Sequence, residues 1–476
     1  MASLRSNLLI STAAMVLVGL IRPGFNAFVT RAFGAEVNGR AATVVALLFL
    51  ASLPATAALP TVMVRHVSRS LGEGAKDTAR AFAALTYRFA TGLAIFGAIG
   101  AGIYGHFALS RPLSVLEIGV LGAGLFGYTY WRLGRILLLA IGKAFASLWA
   151  DVASVLVMFL FLVTCWGLGW PTIAVAGVPL VYVAFSLFTA KVVWSEIRGG
   201  VVSPEMRTTF HRFHSLLFLG STSSLAAREV ALLLLEAQVD AAVLGELSLS
   251  LSLLLALALA PRIIEVPLVH ELASLGGGAQ IDRQRLLTEK GLHWLSVFSL
   301  AAGFGLAIVA RPLLSIVGNV SSDVVVLSFS FLTLGFMLEM LMAPVMNFLV
   351  AEAPPSVMTV CGLASLSVAG VWWLTPWGRG VLGVMIGLAA SFVVKALIAA
   401  YYARSRFGLH LLENPIEKLT VSLLGGGFMW LVQTERVPPW AAFLVFEFLT
   451  VILFRRALRD IFRSVLRRPR PALTSP

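Results

Sequence analysis

The sequence predicts an all-α polytopic membrane protein of about 14 transmembrane helices, arranged as two pseudo-symmetric six-helix lobes plus two C-terminal helices. Hydrophobic residues make up 59% of the 476 residues and charged residues 12%, with a mean hydropathy of +0.91. A water-soluble fold could not bury that much apolar surface. Apolar stretches of about 17–25 residues, long enough to cross a bilayer as a helix, recur along the whole chain. The alternation with a period of two that marks a membrane barrel is absent from the sequence.

The spans are placed by these apolar stretches and by the polar or proline-containing breaks between them. They lie near residues 8–30, 41–64, 89–108, 113–134, 145–168, 172–194, 214–236, 242–268, 291–310, 324–348, 355–375, 380–403, 415–434 and 438–455. The first stretch has no small-residue cleavage site before a polar region, so it is interpreted as a helix and not as a signal peptide. Cys165 and Cys361 fall inside spans, and no disulfide is expected.

Basic residues give the expected orientation, because short loops rich in Lys and Arg remain in the cytoplasm. An even number of spans puts both termini on one face, which receives the basic run 65–88 and the basic tail 455–470. The opposite face receives Arg31, Arg40, Arg111, Arg311, Arg379 and Arg436. We therefore expect a multi-pass protein of the bacterial cytoplasmic (inner) membrane with both termini cytoplasmic. The net charge of +13 is attributed to the basic residues that set this orientation. Nucleic acid is therefore not an expected partner, whereas membrane lipid is, because basic residues beside a membrane attract anionic lipid.

The two halves of the chain resemble copies of one another. Arg22 lies 17 residues before Gly39, and Arg228 lies 17 residues before Gly245. Arg-Pro-Leu precedes both the fourth and the tenth span, at 111–113 and 311–313. An even number of helices in each copy means that the copies run in the same sense through the membrane. The predicted units are an N-terminal lobe (1–195), a cytoplasmic linker (196–213), a C-terminal lobe (214–410), helices 13 and 14 (411–456) and a basic cytoplasmic tail (457–476).

Arg22 and Arg228 lie within apolar spans at equivalent positions of the two copies. A guanidinium stays charged at any accessible pH, and placing one at membrane depth costs about 2.5–3.5 kcal/mol on insertion scales. Its planar fork of donors suits phosphate oxygens, so both residues are predicted to bind an anionic substrate. Asn26 lies four residues after Arg22 on the same face, and Ser224 belongs to a hydroxyl-rich run before Arg228. The alternative is that Arg228 neutralises a nearby carboxylate such as Glu229, while Arg22 snorkels to the surface.

Further candidates are less specific. Arg132 and Arg135 share a face near the inner end of the fourth span, where they would either form the entry to a cationic cavity or snorkel. Glu229 and Glu339 are candidates for binding a proton or Na⁺, because a desolvated carboxylate favours a bound cation. Structural pairing of Glu339, for instance with Arg132 or Lys395, is an equal alternative. Five prolines that interrupt helical hydrogen bonding are hinge candidates, namely Pro23, Pro54, Pro60, Pro261 and Pro267.

The motifs at the start of the chain resemble a known family. Gly19-Leu-Ile-Arg22, then Arg31-Ala-Phe-Gly34 and Gly39, followed by an apolar span and a basic loop, are similar to polysaccharide flippases of the multidrug/oligosaccharidyl-lipid/polysaccharide (MOP) exporter superfamily. The motifs cover about residues 15–75, and the arrangement of six, six and two helices covers the whole chain. The resemblance implies a two-lobed, V-shaped transporter.

The same resemblance implies a substrate and partners. The transporter would move an undecaprenyl-diphosphate-linked oligosaccharide to the outer leaflet by alternating access, for assembly of O-antigen, lipopolysaccharide or exopolysaccharide. A coupling proton or Na⁺ and a polysaccharide polymerase or other assembly protein are left open as further partners. No cofactor is expected.

Three other functions remain as alternatives. A lipid II (peptidoglycan precursor) flippase also has an Arg before a Phe-Gly turn, but the spacing from Arg22 to Phe33 is about one turn longer here. A cation-coupled drug or metabolite antiporter often has a carboxylate in its first helix, where this chain has Arg22. A membrane polysaccharide ligase or polymerase needs a long outer loop, and the longest here are about ten to fifteen residues. The sequence has neither a nucleotide-binding Gly-Lys loop nor metal-ligand spacing, so no enzyme activity and no metal are expected.

Overall fold

The computed structural model describes residues 2–257, 281–320, 322–411, 415–455 and 457–459. Over these residues the protein is almost entirely α-helical and contains no β-strand. The helices are α1 (Ala2–Phe33), α2 (Ala35–Thr56), α3 (Leu59–Gly72), α4 (Lys76–Phe107), α5 (Val115–Ala140), α6 (Ala144–Leu168), α7 (Pro171–Ala174), α8 (Gly177–Ile197), α9 (Pro204–Glu236), α10 (Ala241–Leu257), α11 (Ile281–Ile308), α12 (Ala310–Gly318), α13 (Asp323–Leu341), α14 (Ala343–Glu352), α15 (Pro355–Leu374), α16 (Gly380–Phe407), α17 (Pro415–Gln433) and α18 (Pro439–Leu453).

The predicted fold class is confirmed. Over its described residues, each of the fourteen predicted spans coincides with a helix or with an interrupted pair of helices. Nine helices in the described part of the chain are long and apolar enough to cross a membrane, and two shorter apolar helices accompany them. The eighth span is described only as far as Leu257, so Pro261 and Pro267 lie outside the described residues. The short helix α12 was not predicted.

Prolines mark two of the interruptions. The second span breaks between Thr56 and Leu59, with Pro54 inside the last turn of α2 and Pro60 at the start of α3. The tenth span breaks at Met342, just before Pro344 in the first turn of α14. Proline has no N–H to donate and is tolerated in the first turn of a helix, which explains why α3 begins near Pro60 and α14 near Pro344. Helix α1, in contrast, runs through Pro23 without a break.

The connection between the two halves is shorter than the predicted linker 196–213. Helix α8 ends at Ile197, and α9 already begins at Pro204. Ser203 caps the new helix by accepting a 3.2 Å hydrogen bond from the Met206 N–H group, and Pro204 follows at the first helical position. The non-helical connection is therefore residues 198–203. The Ser-Pro pair at 203–204, which lies within the segment interpreted as a linker, is also a signal for the start of a helix.

Contacts between connecting segments define the two ends of the bundle. Ser110, after α4, donates a 2.7 Å hydrogen bond to Glu236 at the end of α9. The connections that follow the third and the seventh span therefore share one end, here called the distal face. At the opposite end, the Lys143 ammonium lies 3.4 Å from the Glu196 carboxylate. This end is called the basic face, since Arg198, Arg207, Arg404 and Arg406 lie at helix ends there.

The helices form two halves and an appendage. In the first half (α1–α8), α5 and α6 pack on α8, and α2 packs on α4; in the second half (α9–α16), α15 packs on α9 and α16, and α11 packs on α13. Helices α17 and α18 pack on α11, where the rings of Phe304 and Phe446 meet at 6.1 Å. The halves contact each other where α2 packs on α9 and α10, and where α1 packs on α10.

Candidate functional site

The two halves approach closely where α2 crosses α10 near the distal face. A Cβ atom on Gly39 would lie 1.8 Å from the carbonyl oxygen of Ala241, and one on Gly245 would lie 2.0 Å from the carbonyl oxygen of Ala35. Both distances are far below van der Waals contact, so only glycine allows this approach; small residues have the same role at other membrane helix interfaces. Gly39 lies four residues after Ala35, which contacts Gly245, and Gly245 lies four residues after Ala241, which contacts Gly39. The crossing is therefore pseudo-symmetric, as the sequence repeat predicts for Gly39 and Gly245.

Two buried asparagines add hydrogen bonds across the same interface. Asn38 donates to the carbonyl oxygen of Gly245 at 2.8 Å, and Asn26 donates to the carbonyl oxygen of Ser248 at 3.1 Å. Asn26 was predicted to contact substrate, and in this conformation its amide is engaged by α10. Asn38 was not singled out from the sequence, although a polar residue beside Gly39 at the edge of an apolar span was a usable signal.

Arg22 and Arg228, predicted from the repeat, converge on one carboxylate. Arg22 Nη1 lies 3.3 Å from Glu229 Oε1, and Arg228 Nε donates to the same oxygen at 2.7 Å. Arg22 is 9% exposed and Glu229 1% exposed, so the pair is held away from solvent. We call Arg22, Arg228 and Glu229 the charge triad. With two guanidinium groups and one carboxylate it carries a formal charge of +1.

The triad has unused hydrogen-bonding capacity. Arg22 Nη2 and Glu229 Oε2 are both buried, and neither has a hydrogen-bond partner among the described residues. The other neighbour of the Arg22 guanidinium is the ring of Phe49, whose centroid lies 5.3 Å away. Leaving a buried charged donor unsatisfied is unfavourable. The arrangement is therefore suited to accept a further polar or anionic group.

Arg135 belongs to a second charged cluster inside the first half. Its Nε atom lies 3.3 Å from Asp151 Oδ2, and the indole N–H of Trp131 donates to Asp151 Oδ1 at 3.2 Å. Tyr182 lies between this cluster and the triad, with its ring 5.1 Å from that of Trp131 and 6.2 Å from that of Phe49. Asp151 is not among the residues that the sequence analysis singled out for this site.

The remaining predicted residues lie elsewhere. Arg132 is exposed, and the structure does not bring it together with Arg22. Glu339 of α13 forms an ion pair with Lys395 of α16, which is the pairing that the sequence left open as an alternative to ion binding. The side chain of Ser224 is outside the described part of the structure.

A distal-face contact was missed by sequence reasoning. Arg40 makes a bidentate pair with Glu117, at 2.5 Å from Nε and 2.8 Å from Nη2, and donates to the carbonyl oxygens of Arg111 and Pro112. Glu117 also completes a capping box with Ser114 at the start of α5. The capping pattern was readable from the sequence, but its arginine partner on α2 was not.

Several solved transporter structures share this fold. A multidrug resistance transporter of the MATE family, in an inward-facing conformation, has a TM-score of 0.65 at 15% identity and covers 84% of this chain and 98% of its own. The lipid II flippase MurJ, in an inward closed conformation, has a TM-score of 0.65 at 12% identity and covers 98% of this chain and 99% of its own. A eukaryotic MATE transporter has a TM-score of 0.59 at 15% identity, over 85% of this chain and 97% of its own.

No protein-family model matches the chain, and no curated protein sequence matches it. TM-scores of 0.65 establish a shared fold, and identities of 12–15% establish nothing beyond it. The protein is thus a multi-pass membrane protein with the architecture of MOP transporters, and its substrate must be argued from its own residues.

Proposed function

We propose that the protein is a flippase that moves an undecaprenyl-diphosphate-linked oligosaccharide across the bacterial cytoplasmic membrane by alternating access. The observation that carries the proposal is the charge triad, which places a formal charge of +1 and a buried, unpartnered guanidinium N–H group between the two halves. Arginine donates in pairs to phosphate oxygens. A diphosphate group is therefore the proposed ligand of Arg22 and Arg228.

The proposed transport path follows the interface that the triad occupies. The Gly39–Gly245 crossing closes this interface near the distal face. In the proposal, the basic face is cytoplasmic, both termini are in the cytoplasm, and separation of α2 from α10 opens the exit to the outer leaflet. Asn26 and Ser224 would then contact the substrate, with Asn26 exchanging its hydrogen bonds to Ser248 for bonds to sugar hydroxyls.

The units proposed from the sequence fit this cycle. Lobes 1–195 and 214–410 would move relative to one another, and helices 13 and 14 (411–456) and the basic tail (457–476) would accompany the second lobe, since α17 and α18 pack on α11. We propose a structural role for Arg135, because Asp151 already compensates its charge. Coupling to a proton or Na⁺ through Glu229 or Glu339 remains part of the proposal.

Lipid II is the second candidate substrate. The lipid II flippase MurJ covers 98% of this chain, against 84% for the MATE transporter of equal TM-score. Both candidate substrates carry a diphosphate on a polyprenyl chain, so the triad does not distinguish them. A cationic drug is disfavoured, because a net positive site repels it.

The test is flipping in proteoliposomes. The purified protein is reconstituted with fluorescent undecaprenyl-diphosphate oligosaccharide, and the fraction accessible to a membrane-impermeant quencher is followed over time. Parallel vesicles contain lipid II or a cationic dye. We expect flipping of a diphosphate lipid, its loss in Arg22→Ala, and its retention in Arg379→Ala, which removes an exposed distal arginine. Transport of the dye without flipping of either lipid would refute the proposal.

A further inference from the structure

The first half contains a cavity that is separate from the charge triad. Helices α4, α5 and α8 enclose a groove with a volume of about 800 Å³, within the usual range for ligand pockets. Its walls are mostly apolar and aromatic and include Phe126, Tyr130 and Val183. Leu187 and Trp194, which also line it, are 71% and 62% exposed. The groove therefore opens sideways on the surface of the bundle that faces the bilayer.

Two arginines lie at the end of this groove toward the basic face. Arg88 of α4 and Arg198, the first residue after α8, both line the groove and are exposed. Neither forms an ion pair with any described residue. Trp194 lies one turn before Arg198, and Trp is the residue type that anchors at the headgroup level of a membrane. Two uncompensated cations at this level favour an anionic headgroup.

The interior wall offers one unused hydrogen-bonding group. Tyr87 lines the groove, and its side chain is only 5% exposed. Its buried hydroxyl has no partner within the described structure. The neighbouring hydroxyls of Thr91 and Tyr130 are already bonded to each other at 2.8 Å. The hydroxyl lies beneath the groove surface, so a lipid ester oxygen would accept from it only after a shift of the Tyr87 ring toward the groove, a shift favoured because a buried donor without an acceptor is unfavourable.

We propose that this groove binds one anionic phospholipid from the leaflet at the basic face. An acyl chain lies along the apolar walls, and the phosphate lies between Arg88 and Arg198. None of the triad residues lines the groove, so the site is distinct from the proposed transport path. All three helices belong to the same half, so the bound lipid would move with that half as a rigid part of it.

The experiment measures lipid binding to the purified full-length protein by native mass spectrometry. Phosphatidylglycerol, phosphatidylcholine, undecaprenyl-diphosphate oligosaccharide and glycerol 3-phosphate are titrated against the wild type and Arg88→Ala/Arg198→Ala. At about 1 kcal/mol per basic residue, the double variant should bind phosphatidylglycerol about thirty-fold more weakly. Arg404→Ala/Arg406→Ala, which removes two exposed arginines at the same face of the other half, should bind like the wild type.

A second variant tests the groove itself. Ala190 lines the groove and is exposed, so Ala190→Trp should fold normally and fill the space that the acyl chain needs. Loss of phosphatidylglycerol binding is expected. Equal binding of phosphatidylglycerol and phosphatidylcholine, binding of glycerol 3-phosphate alone, or preference for undecaprenyl-diphosphate oligosaccharide would each overturn the proposal. These readouts do not involve flipping, so they are independent of the proposed transport function.

Discussion

Arg22 of α1 and Glu229 of α9, 207 positions apart in the chain, form an ion pair of 3.3 Å that joins the two halves of the protein. The same Glu229 oxygen also accepts from Arg228. In the repeat register that aligns Arg22 with Arg228, the position equivalent to Glu229 is Pro23. One carboxylate thus serves two equivalent guanidinium groups. This departure from symmetry leaves the interface positively charged.

Replacing Glu229 should destabilise the protein more than replacing Arg22. Glu229→Gln leaves two neighbouring guanidinium groups uncompensated, and breaking a buried ion pair by removing one partner costs about 3–5 kcal/mol. Arg22→Gln leaves the Arg228–Glu229 pair intact. Thermal unfolding in detergent should therefore give the lowest Tm for Glu229→Gln. An unchanged Tm for this variant would mean that the triad is compensated in another way.

Transport should depend on both triad arginines and on their geometry. Arg22→Ala and Arg228→Ala should each reduce export of surface polysaccharide severely, because the remaining arginine is then neutralised by Glu229 and the triad has no net positive charge to offset a diphosphate. Lys at either position should rescue only in part, since it lacks the planar fork of donors. Surface polysaccharide is measured in cells with matched membrane abundance of each variant. Normal export by both Ala variants would show that the two charges are structural.

A larger residue at Gly39 should prevent closure at the distal face. A Cβ atom there would lie 1.8 Å from the Ala241 carbonyl oxygen, so Gly39→Val should shift the protein toward a distally open state. Labelling of a cysteine at Ser110 by an impermeant reagent should become faster. Gly119→Val is the matched control, because no atom lies within 4 Å of its Cβ position. Equal labelling rates in the two variants would contradict this view of the interface.

Glu339 can be tested for ion coupling against a purely structural role. Glu339→Gln leaves Lys395 without its carboxylate, and both side chains are largely buried. If the pair is structural, Glu339→Gln/Lys395→Met should recover transport. If Glu339 binds a coupling ion, the double variant should fold but lose the dependence of flipping on a proton or Na⁺ gradient. Flipping rates in vesicles with and without imposed gradients distinguish the two outcomes.

The orientation can be checked by cysteine labelling in intact cells. Cys165 and Cys361 are buried and can be replaced by Ala to remove background. Cysteines at positions 76 and 283 are expected to resist an impermeant reagent, because the Lys and Arg asymmetry predicts that both are cytoplasmic. A cysteine at Arg379 should react. Labelling of a cysteine at 76 or 283 from outside would show that the predicted orientation or the number of spans is wrong.

The sequence was sufficient for the fold, and it predicted that Arg22 and Arg228 lie close together, as they do at Glu229. Hydropathy locates the spans because a helix in lipid must satisfy its backbone internally. The repeat placed Gly39 and Gly245 at equivalent positions, although it did not predict that each must lack a side chain where the other helix passes. The pairing of Arg228 with Glu229 was an open alternative in the sequence, but the contact of Arg22 with Glu229 was not predicted. Whether Glu229 contacts Arg22 depends on how α9 is rotated against α1, and no local pattern encodes that rotation.

Longer-range contacts were missed for the same reason. Asp151 and Arg135 lie on different helices, and their spacing in the sequence does not predict that they pair or that Trp131 donates to the same carboxylate. Helix α9 begins at Pro204, ten residues before the predicted span 214–236, and its first turns lie in the segment that the sequence marked only as a linker. In each case the residue type was informative, and the missing information was the packing of one helix against another.

The hydrogen bonds that Asn26 and Asn38 donate to α10 bear on how readily the protein can change state. Interhelical hydrogen bonds in membrane proteins are worth about 0.6 kcal/mol each. Together the two bonds would favour the closed arrangement by a factor of roughly eight, on the scale where about 1.4 kcal/mol is tenfold. These two bonds therefore favour the closed form without locking it, since thermal motion readily breaks contacts of that strength. A ligand with a modest preference for the open form could then reverse the equilibrium without help from ATP.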